Sequence, residues 1–307
     1  MKKDIEVSIV IVSYDTRNLL RECLASVREA TRGLAARVIV VDNASFDGSA
    51  DMVREQFPDI ELIQNAVNLG FARATNLGTS RAEGEFVLWL NSDAFITSEA
   101  LTDLLAFAQS QPKVGICCPQ LLFGNGKWQR SFGRIPSPKA AFLEIIGYGP
   151  CMRLLDQLVW QFGRQKGRPR AVEYGDGACL LIRRRMLDEI GLLDERFFFF
   201  AEDAEYCLRA RRHGWGVYYV PASQVVHLRG GSSAQKAPLR TQQLKKDALH
   251  TLISSSYGES AWRTYVRLIR LNYFLRYSIC KIMATLGLVP MNRCTNYETI
   301  LSIYSSD

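Results

Sequence analysis

The sequence predicts an α/β fold with a mixed, mainly parallel β-sheet flanked by helices, followed by a helical C-terminal region. Three observations predict it. Apolar runs of strand length alternate with helical patterns over residues 7–93. Polar residues stand directly after these runs, as they do at the ligand-binding edge of an open α/β sheet. Residues 236–307 carry their apolar residues at helical spacing instead.

The first elements follow a strand–helix–strand order. Val7–Val12 is an apolar run that predicts the first strand. Leu19–Val27 then repeats apolar residues every three or four positions, as one face of a helix does. Val38–Val41 and Ile60–Ile63 predict the second and third strands, with a short helical pattern between them. This order is typical of a parallel sheet.

The fourth apolar run, Phe86–Leu90, ends abruptly at Asn91, Ser92 and Asp93. The run contains no polar residue, which predicts a strand that is buried on both faces. A carboxylate beyond the end of such a strand suits a hard cation that binds a diphosphate. The same pattern is also typical of a turn or a helix N-cap, so the residue types alone leave both interpretations open.

Polar residues also end the first two strands, since Ser13 follows one run and Asp42 the other. In a parallel sheet these residues should lie at the same edge as Asp93. A carboxylate such as that of Asp42 can accept hydrogen bonds from a nucleoside base or ribose, and a turn is the alternative role. Neither a Gly-x-Gly-x-x-Gly fingerprint after the first strand nor a P-loop motif occurs in the sequence, which disfavours both of those nucleotide sites.

A second group of candidate residues lies later in the chain. Glu202 and Asp203 begin a helical pattern directly after four consecutive phenylalanines, Phe197–Phe200. Apolar surroundings raise the pKa of a carboxylate towards the range of a useful general base. The helix dipole also favours acids in a first turn, which is the structural alternative. His227 ends an apolar stretch, where a histidine is either structural or a ligand.

Seven segments occur in an informative order, and they are Ser8–Tyr14, Val40–Ser45 with Asp47–Gly48, Asn68–Arg73 with Asn76, Leu88–Asp93, Asp176–Arg183, Phe197–Asp203 with Cys207–Arg209, and Val226–His227. In this order they resemble family 2 inverting glycosyltransferases, whose GT-A fold is built on a Rossmann-like sheet. The chain is most similar to the rhamnosyltransferase-like branch, which builds bacterial surface polysaccharides. The resemblance covers roughly residues 6–233.

The resemblance implies roles for individual residues. Asp42 matches the acid that contacts the base or ribose of the donor. Asp93 matches the last acid of the D-x-D motif, which holds Mg²⁺ or Mn²⁺, and His227 matches a histidine near that metal. Asp203 matches the general base, with Glu202 beside it as a second catalytic candidate. The other candidate donor-binding residues are Ser13, Asn68, Gly70, Arg73, Asn91, Asp176 and Gly177.

Two positions depart from the family pattern. The branch often has Asn-Pro-Asp where this chain has Asn91, Ser92 and Asp93, so the metal would have one carboxylate there. Asp176 stands where the family often has a small hydroxyl residue.

The resemblance implies transfer of a sugar, with rhamnose as the best match, from a dTDP- or UDP-linked donor. The acceptor would be a hydroxyl of a glycan or of a polyprenyl-linked glycan. Two alternatives stay open, a non-catalytic nucleotide-sugar-binding subunit and a sugar-1-phosphate nucleotidyltransferase. The latter class is expected to have a Gly-rich loop after its first strand, whereas Ser13–Asn18 contains no glycine.

The net charge of +7 is unevenly spread. Residues 1–124 hold 11 Lys and Arg against 16 Asp and Glu, whereas residues 125–185 hold 12 against 4 and residues 236–307 hold 10 against 4. The stacking and basic motifs of nucleic-acid-binding proteins are missing, so we expect no nucleic-acid partner. An anionic lipid surface or a lipid-diphosphate acceptor fits the basic segments better.

We expect a glycosyltransferase domain over residues 1–235 and an amphipathic helical region over residues 236–307. Within the first, residues 125–171 are predicted to form a helical insertion, which either faces the acceptor or caps the core. The apolar residues between Leu268 and Leu286 share one helical face beside a basic one. This pattern predicts contact with a membrane surface, with the rest of the chain, or with a twin subunit in a homodimer.

The eight cysteines show no zinc-binding spacing, which predicts buried free thiols in a reducing compartment. The chain starts with Met-Lys-Lys-Asp and leads straight into a strand, so no signal peptide is predicted. We therefore expect a cytoplasmic protein, either free or peripheral on the inner face of the cytoplasmic membrane.

Overall fold

The computed structural model describes residues 5–162, 167–228 and 238–305. The strands are β1 Val7–Ser13, β2 Ala36–Asp42, β3 Glu61–Gln64, β4 Phe86–Asn91, β5 Ala94–Phe95, β6 Val114–Leu122, β7 Phe132–Gly133, β8 Arg170–Ala171, β9 Tyr174–Gly175, β10 Cys179–Arg183 and β11 Gly216–His227. The helices are α1 Arg17–Ala30, α2 Ser49–Gln56, α3 Phe71–Arg81, α4 Ser98–Ser110, α5 Pro138–Ile145, α6 Tyr148–Phe162, α7 Arg184–Ile190, α8 Glu202–Arg212, α9 Pro238–Tyr257, α10 Glu259–Thr285 and α11 Asn292–Tyr304.

Nine of the strands in the described residues form one sheet, in the order β3-β2-β1-β4-β10-β6-β11-β5 with β8 beside β11. Six of them, β1 to β4, β6 and β11, run in the same direction. Strand β10 runs antiparallel between β4 and β6. This confirms the predicted mixed, mainly parallel sheet. The register pairs Ser13 with Asp42 and Val12 with Asn91, so the predicted polar strand ends share one edge.

The sheet is buried on both faces, as the apolar runs predict. Along β1, Ile9 and Ile11 contact the cluster under α1, α2 and α4, whereas Val10 contacts the cluster under α3, α7 and α8. This alternation follows from the period of two along a strand. Burial of both faces fixes the register of each central strand, because a slip by one residue would exchange the two faces. The strand ends are therefore rigidly placed.

The C-terminal helices form a third apolar cluster, built around Trp262, Tyr265 and Tyr304 together with residues of α5 and α9. Helix α9 also reaches the sheet, since Leu252 is buried in the cluster that includes α8. The helical C-terminal region is confirmed, and the boundary that we expect at residues 235–236 lies outside the described residues. Within the described residues, each helix is too short or too polar to span a bilayer.

The expectation of free thiols is wrong for two of the cysteines. Cys280 in α10 and Cys294 in α11 are joined by a disulfide. The remaining six are free, and five of these are buried while Cys151 is exposed. The sequence pattern did not predict the bond because the two cysteines lie on different helices that only the turn between α10 and α11 brings together.

Candidate active site

The carboxyl ends of β1 and β4 are joined by a chain of buried hydroxyl groups. The hydroxyl of Ser13 lies 2.9 Å from that of Thr16, which in turn donates a hydrogen bond of 2.9 Å to Ser92. All three residues are buried. Ser13 is thus at the predicted edge, where its hydroxyl group helps to hold the segment that carries Asp93.

Asp42 at the end of β2 is fully buried, and its two carboxylate oxygens differ in their environment. Oδ2 accepts a hydrogen bond of 3.2 Å from the backbone N–H of Ser45, which is the turn role considered from the sequence. Oδ1 is buried and has no hydrogen-bond partner. A buried polar atom without a partner is costly, so an oxygen in this position is suited to accept a hydrogen bond from a ligand.

Asn43, which sequence reasoning missed, organises the loop before α3. Its amide nitrogen donates to the side-chain oxygen of Asn68 at 2.9 Å and to the carbonyl of Gly70 at 3.1 Å. Its oxygen accepts from the backbone N–H of Leu69 and from the side chain of Asn65. Four hydrogen bonds from one buried side chain fix the loop beside Asp42. The only signal in the sequence is the position of Asn43 directly after the second strand.

Gly70 brings this loop against the segment that precedes the acidic pair. Its φ is +82°, and a Cβ atom here would lie 2.5 Å from the carbonyl oxygen of Phe198. The backbone N–H of Phe71 donates a hydrogen bond of 2.7 Å to that same oxygen. Only glycine combines this backbone conformation with so close an approach.

Replacing Gly70 with alanine should destabilise the protein by at least about 3 kcal/mol, because backbone strain of about 1–3 kcal/mol adds to the clash with Phe198. The free energy of unfolding in urea measures the loss. Gly33→Ala is the matched control, since Gly33 has the same φ of +82° but no atom within 4 Å of the added Cβ. Equal losses in the two variants would contradict the close-approach explanation.

Helix α3 also holds the segment before the acidic pair. The side chain of Asn76 donates to the carbonyl of Leu193 at 2.9 Å and accepts from its N–H at 3.0 Å. The guanidinium of Arg73 donates to the carboxylate of Glu195 at 3.0 Å, and both side chains are about half exposed. Arg73 therefore binds this segment in the structure. Its side chain would have to leave Glu195 and rearrange to reach a phosphate.

Asp93 and His227 meet where β5 pairs with the end of β11. The chain turns after Asp93, and Ala94 then pairs with His227. This places Nε2 of His227 3.3 Å from Oδ1 of Asp93. Both side chains are largely buried. The resemblance associated these two residues with one another, and the structure brings them together.

The residues present fit a divalent cation that arrives with a diphosphate. Groups of three or more His, Cys, Asp and Glu side chains that could hold a metal are absent from the described residues. Two protein donors are nevertheless sufficient where substrate phosphates and water complete the shell, as is usual for Mg²⁺. The 3.3 Å separation of Asp93 and His227 lets both reach one ion at about 2.1 Å.

The acidic pair lies beside the end of β4. Because β10 runs antiparallel to β4, the start of β10 lies at the carboxyl edge, where the N–H of Asn91 donates to the carbonyl of Ala178 at 3.0 Å. The N–H of Gly177 donates to Oδ2 of Asp203 at 3.0 Å. Asp176 and Gly177 thus connect the strand end to Asp203. The second oxygen of Asp203 accepts from the N–H of Ala204.

The carboxyl groups of Glu202 and Asp203 both have a raised pKa. Burial is the main cause of the raised pKa of Asp203, which is about 7, and the nearby charge of Asp176 adds to it. Burial and the charge of Asp203 raise the pKa of Glu202 to a value above that of Asp203. Oε2 of Glu202 is buried without a hydrogen-bond partner. A carboxyl group with a pKa near neutrality is suited to accept a proton from a reacting hydroxyl.

The backbone is strained around this edge. The described part of the chain contains four non-glycine residues with positive φ, which are Asp15, Ala44, Phe200 and Ala201. Asp15 follows β1, Ala44 follows β2, and the other two directly precede Glu202. Such conformations cost about 1–3 kcal/mol each and cluster at functional sites. Their positions agree with a site at the carboxyl edge of the sheet.

Fold and site together define the class of protein. The sheet, with polar residues gathered at the carboxyl edge, is that of a GT-A glycosyltransferase. A mannosyltransferase from Pyrobaculum calidifontis in complex with GDP-mannose and Mn²⁺ superimposes with a TM-score of 0.60, covering 98% of this chain and 85% of that one at 17% identity. A second solved structure, GalNAc-T7 with UDP, GalNAc and Mn²⁺, gives a TM-score of 0.56 over 74% of this chain and 44% of that one, also at 17% identity.

The family follows from the sequence comparison. Residues 8–191 match the model of glycosyl transferase family 2, and the chain belongs to this family. An N-acetylglucosaminyl-diphospho-decaprenol L-rhamnosyltransferase of Mycobacterium tuberculosis is 27% identical over 239 residues, 74% of this chain and 77% of that protein. The hexosyltransferase Agl10 of low-salt glycan biosynthesis in Haloferax volcanii is 25% identical over 72% of this chain and 67% of its own length.

Proposed function

We propose that the protein transfers a sugar, with inversion at the anomeric carbon, from a nucleoside-diphosphate donor to a hydroxyl of a lipid-linked glycan. The observation that carries this proposal is the position of Asp203. Its pKa is raised to about 7, and it is tied through Gly177 to the strand edge at which Asp42 and Asp93 lie. A base and a diphosphate-binding edge are the two parts that such a transfer needs.

Each part has a chemical task. Asp203 takes the proton from the acceptor hydroxyl as that oxygen attacks, which contributes about 10²–10⁴-fold to the rate. Asp42 accepts a hydrogen bond from the nucleoside through its unpaired Oδ1. Asp93 and His227 would hold Mg²⁺ or Mn²⁺, which as a Lewis acid stabilises the charge that develops on the leaving diphosphate. Asn68 and Gly70 shape the loop that covers the nucleotide.

For the donor we propose dTDP-rhamnose, with UDP-linked sugars as the next candidates, and for the acceptor a polyprenyl-diphosphate glycan. The mycobacterial relative supports this assignment, since its name describes transfer of L-rhamnose to a lipid-linked N-acetylglucosamine. The basic residues of the 125–171 insertion, on the proposed acceptor side, suit an acceptor that carries a diphosphate.

Release of nucleoside diphosphate tests the proposal directly. Purified protein is incubated with dTDP-rhamnose and a panel of UDP- and GDP-sugars, with Mg²⁺ or Mn²⁺ and a polyprenyl-diphosphate N-acetylglucosamine acceptor. We expect acceptor-dependent release with one donor, and NMR of the product should show an inverted anomeric centre. Binding of a nucleotide sugar without any turnover would instead favour a non-catalytic binding subunit.

We further infer that helix α10 contacts an anionic membrane surface. Its second half and the residue that follows it expose a row of apolar side chains, among them Ile279, Ile282 and Leu286 at 58%, 61% and 67% exposure. The neighbouring helical face carries Arg263, Arg267, Arg270 and Lys281. An apolar face flanked by basic residues is the pattern of an interfacial helix. Such contact would bring the enzyme to a lipid-linked acceptor.

Charge favours a membrane over a second copy of the chain. The sequence between Glu259 and Glu298 contains no acidic residue, so two copies of α10 would bring basic faces together without opposite charges. An anionic lipid surface supplies those charges. Their attraction strengthens membrane binding by about 1 kcal/mol per basic residue near the surface.

Replacing Ile279 and Ile282 with glutamate should lower binding to phosphatidylglycerol vesicles by about tenfold or more, because both apolar area and charge attraction are lost. Co-sedimentation measures the bound fraction, with phosphatidylcholine vesicles as the neutral comparison. Leu239→Glu, at an exposed apolar position on α9, is the matched control. A dimer in sedimentation equilibrium that the double variant dissociates, without vesicle binding, would assign the face to self-association.

A further inference from the structure

Gln129 is a buried side chain to which the sequence assigned no role, and it makes two hydrogen bonds to His227. Its amide nitrogen donates to the backbone carbonyl of His227 at 2.9 Å. Its amide oxygen lies 2.7 Å from Nδ1 of the same histidine. Gln129 is 1% exposed, so water does not compete for either bond.

The first hydrogen bond decides the nature of the second. A backbone carbonyl can only accept, so the atom of Gln129 that faces it must be the NH₂ group. The atom that faces Nδ1 is therefore the amide oxygen, which can also only accept. Nδ1 must then carry the proton, and in a neutral imidazole this leaves the lone pair on Nε2.

That lone pair points to the carboxylate of Asp93. Nε2 of His227 and Oδ1 of Asp93 are 3.3 Å apart. Two electron-rich atoms at this distance in a largely buried position call for a positive charge between them, either a second proton on the imidazole or a divalent cation. A divalent cation shared by the two side chains meets this requirement.

A polar network holds Gln129 in place. The amide nitrogen of Gln120 donates to the carbonyl of Gln129 at 2.8 Å, and Tyr219 donates to the oxygen of Gln120 at 2.6 Å. Ser131 also donates to the carbonyl of Gln129, at 3.2 Å. Gln120 and Ser131 are fully buried. A network satisfied in this way fixes the backbone of Gln129, from which the side chain reaches His227.

We propose that Gln129 is a positioning residue for metal binding. It holds His227 as the Nδ1-protonated tautomer, so that Nε2 can join Asp93 as a ligand of the cation that accompanies the donor diphosphate. This inference rests on the proposed function. Hydrogen bonds from a second residue to a metal-binding histidine commonly affect metal affinity by about 10- to 100-fold.

Gln129→Met tests the inference, because methionine keeps the length of the side chain and removes both hydrogen bonds. We expect a 10- to 100-fold weaker affinity for Mn²⁺ in the presence of UDP or dTDP, measured by EPR of the free ion. Gln129→Glu keeps an acceptor for Nδ1 but loses the donor that faces the carbonyl of His227, so it should restore only part of the affinity. Gln120→Met is the graded comparison: it breaks the outer network but leaves both hydrogen bonds between Gln129 and His227, so its loss of affinity should be smaller.

A second readout needs no metal. With ¹⁵N-labelled histidine, the shifts of the two ring nitrogens report which one is protonated, and His227→Gln assigns the signals. The wild type should show His227 protonated at Nδ1, and Gln129→Met should lose this preference. Equal Mn²⁺ affinity and an unchanged tautomer in Gln129→Met would overturn the inference about Gln129 but leave the proposed function standing. A wild type that binds no Mn²⁺ with either nucleotide would overturn the metal site of the proposed function as well.

Discussion

Replacing Asp203 with asparagine should lower the turnover of donor and acceptor by about 10²–10⁴-fold. Asparagine has the same shape, and its oxygen can still accept the hydrogen bond from Gly177. It cannot take a proton from the acceptor hydroxyl. Affinity for the nucleoside diphosphate should change little, because the proposed diphosphate contacts lie at Asp93 and His227. Release of nucleoside diphosphate at saturating donor and acceptor measures the loss.

The pH dependence supplies the control for this prediction. Asp203 acts only when it is ionised, and its pKa in the folded protein is about 7. The rate of the wild type should therefore fall below about pH 7 and level off above it. Asp176→Asn removes a negative charge that helps to raise the pKa of Asp203, and it should shift this fall in rate to lower pH. A variant Asp203→Asn that keeps wild-type turnover would exclude Asp203 as the base.

The second large effect is expected at Asp93. Asp93→Asn removes the carboxylate that faces His227, and turnover at low Mn²⁺ should fall at least about a hundredfold, which corresponds to about 2.7 kcal/mol. Turnover measured over a series of Mn²⁺ concentrations separates weaker metal binding from slower chemistry, because only the former is rescued by excess metal. Asp59→Asn, which breaks an exposed ion pair with Arg28, is the matched control.

The two outcomes at Asp93 have different meanings. A variant that needs more Mn²⁺ but reaches the wild-type rate would assign Asp93 to metal affinity alone. A variant that turns over equally at every Mn²⁺ concentration would show that the metal is bound elsewhere or is not required, and would contradict the proposed site.

The sheet and half of the site could be predicted because their signals are local. Three of the first four strands, β1, β2 and β4, are largely apolar runs, and they end at Ser13, Asp42 and Asn91. Parallel strands put their carboxyl ends at one edge, so the meeting of these residues follows from strand order alone. The structure pairs Ser13 with Asp42 in register, as this reasoning requires.

The rest of the site depends on contacts between distant segments, which no local pattern encodes. Nothing in Asp176–Arg183 indicates that β10 runs antiparallel, yet this direction brings Gly177 to Asp203. The resemblance to a known family made Gly177 and Asp203 candidate residues but did not predict their contact. Gln129 and Asn43 were missed because single amide residues in loops are common and acquire a role only through their partners. The bond between Cys280 and Cys294 was missed for the same reason.

The positive φ angles at Ala44 and Ala201 have a consequence for engineering this protein. Glycine would occupy these conformations without strain, and a more stable protein is therefore expected to be only a few substitutions away. The same substitutions would loosen the segments after β2 and before α8, which hold the candidate nucleoside and base residues. Selection for heat tolerance alone would thus tend to accept glycine at positions where glycine lowers the activity.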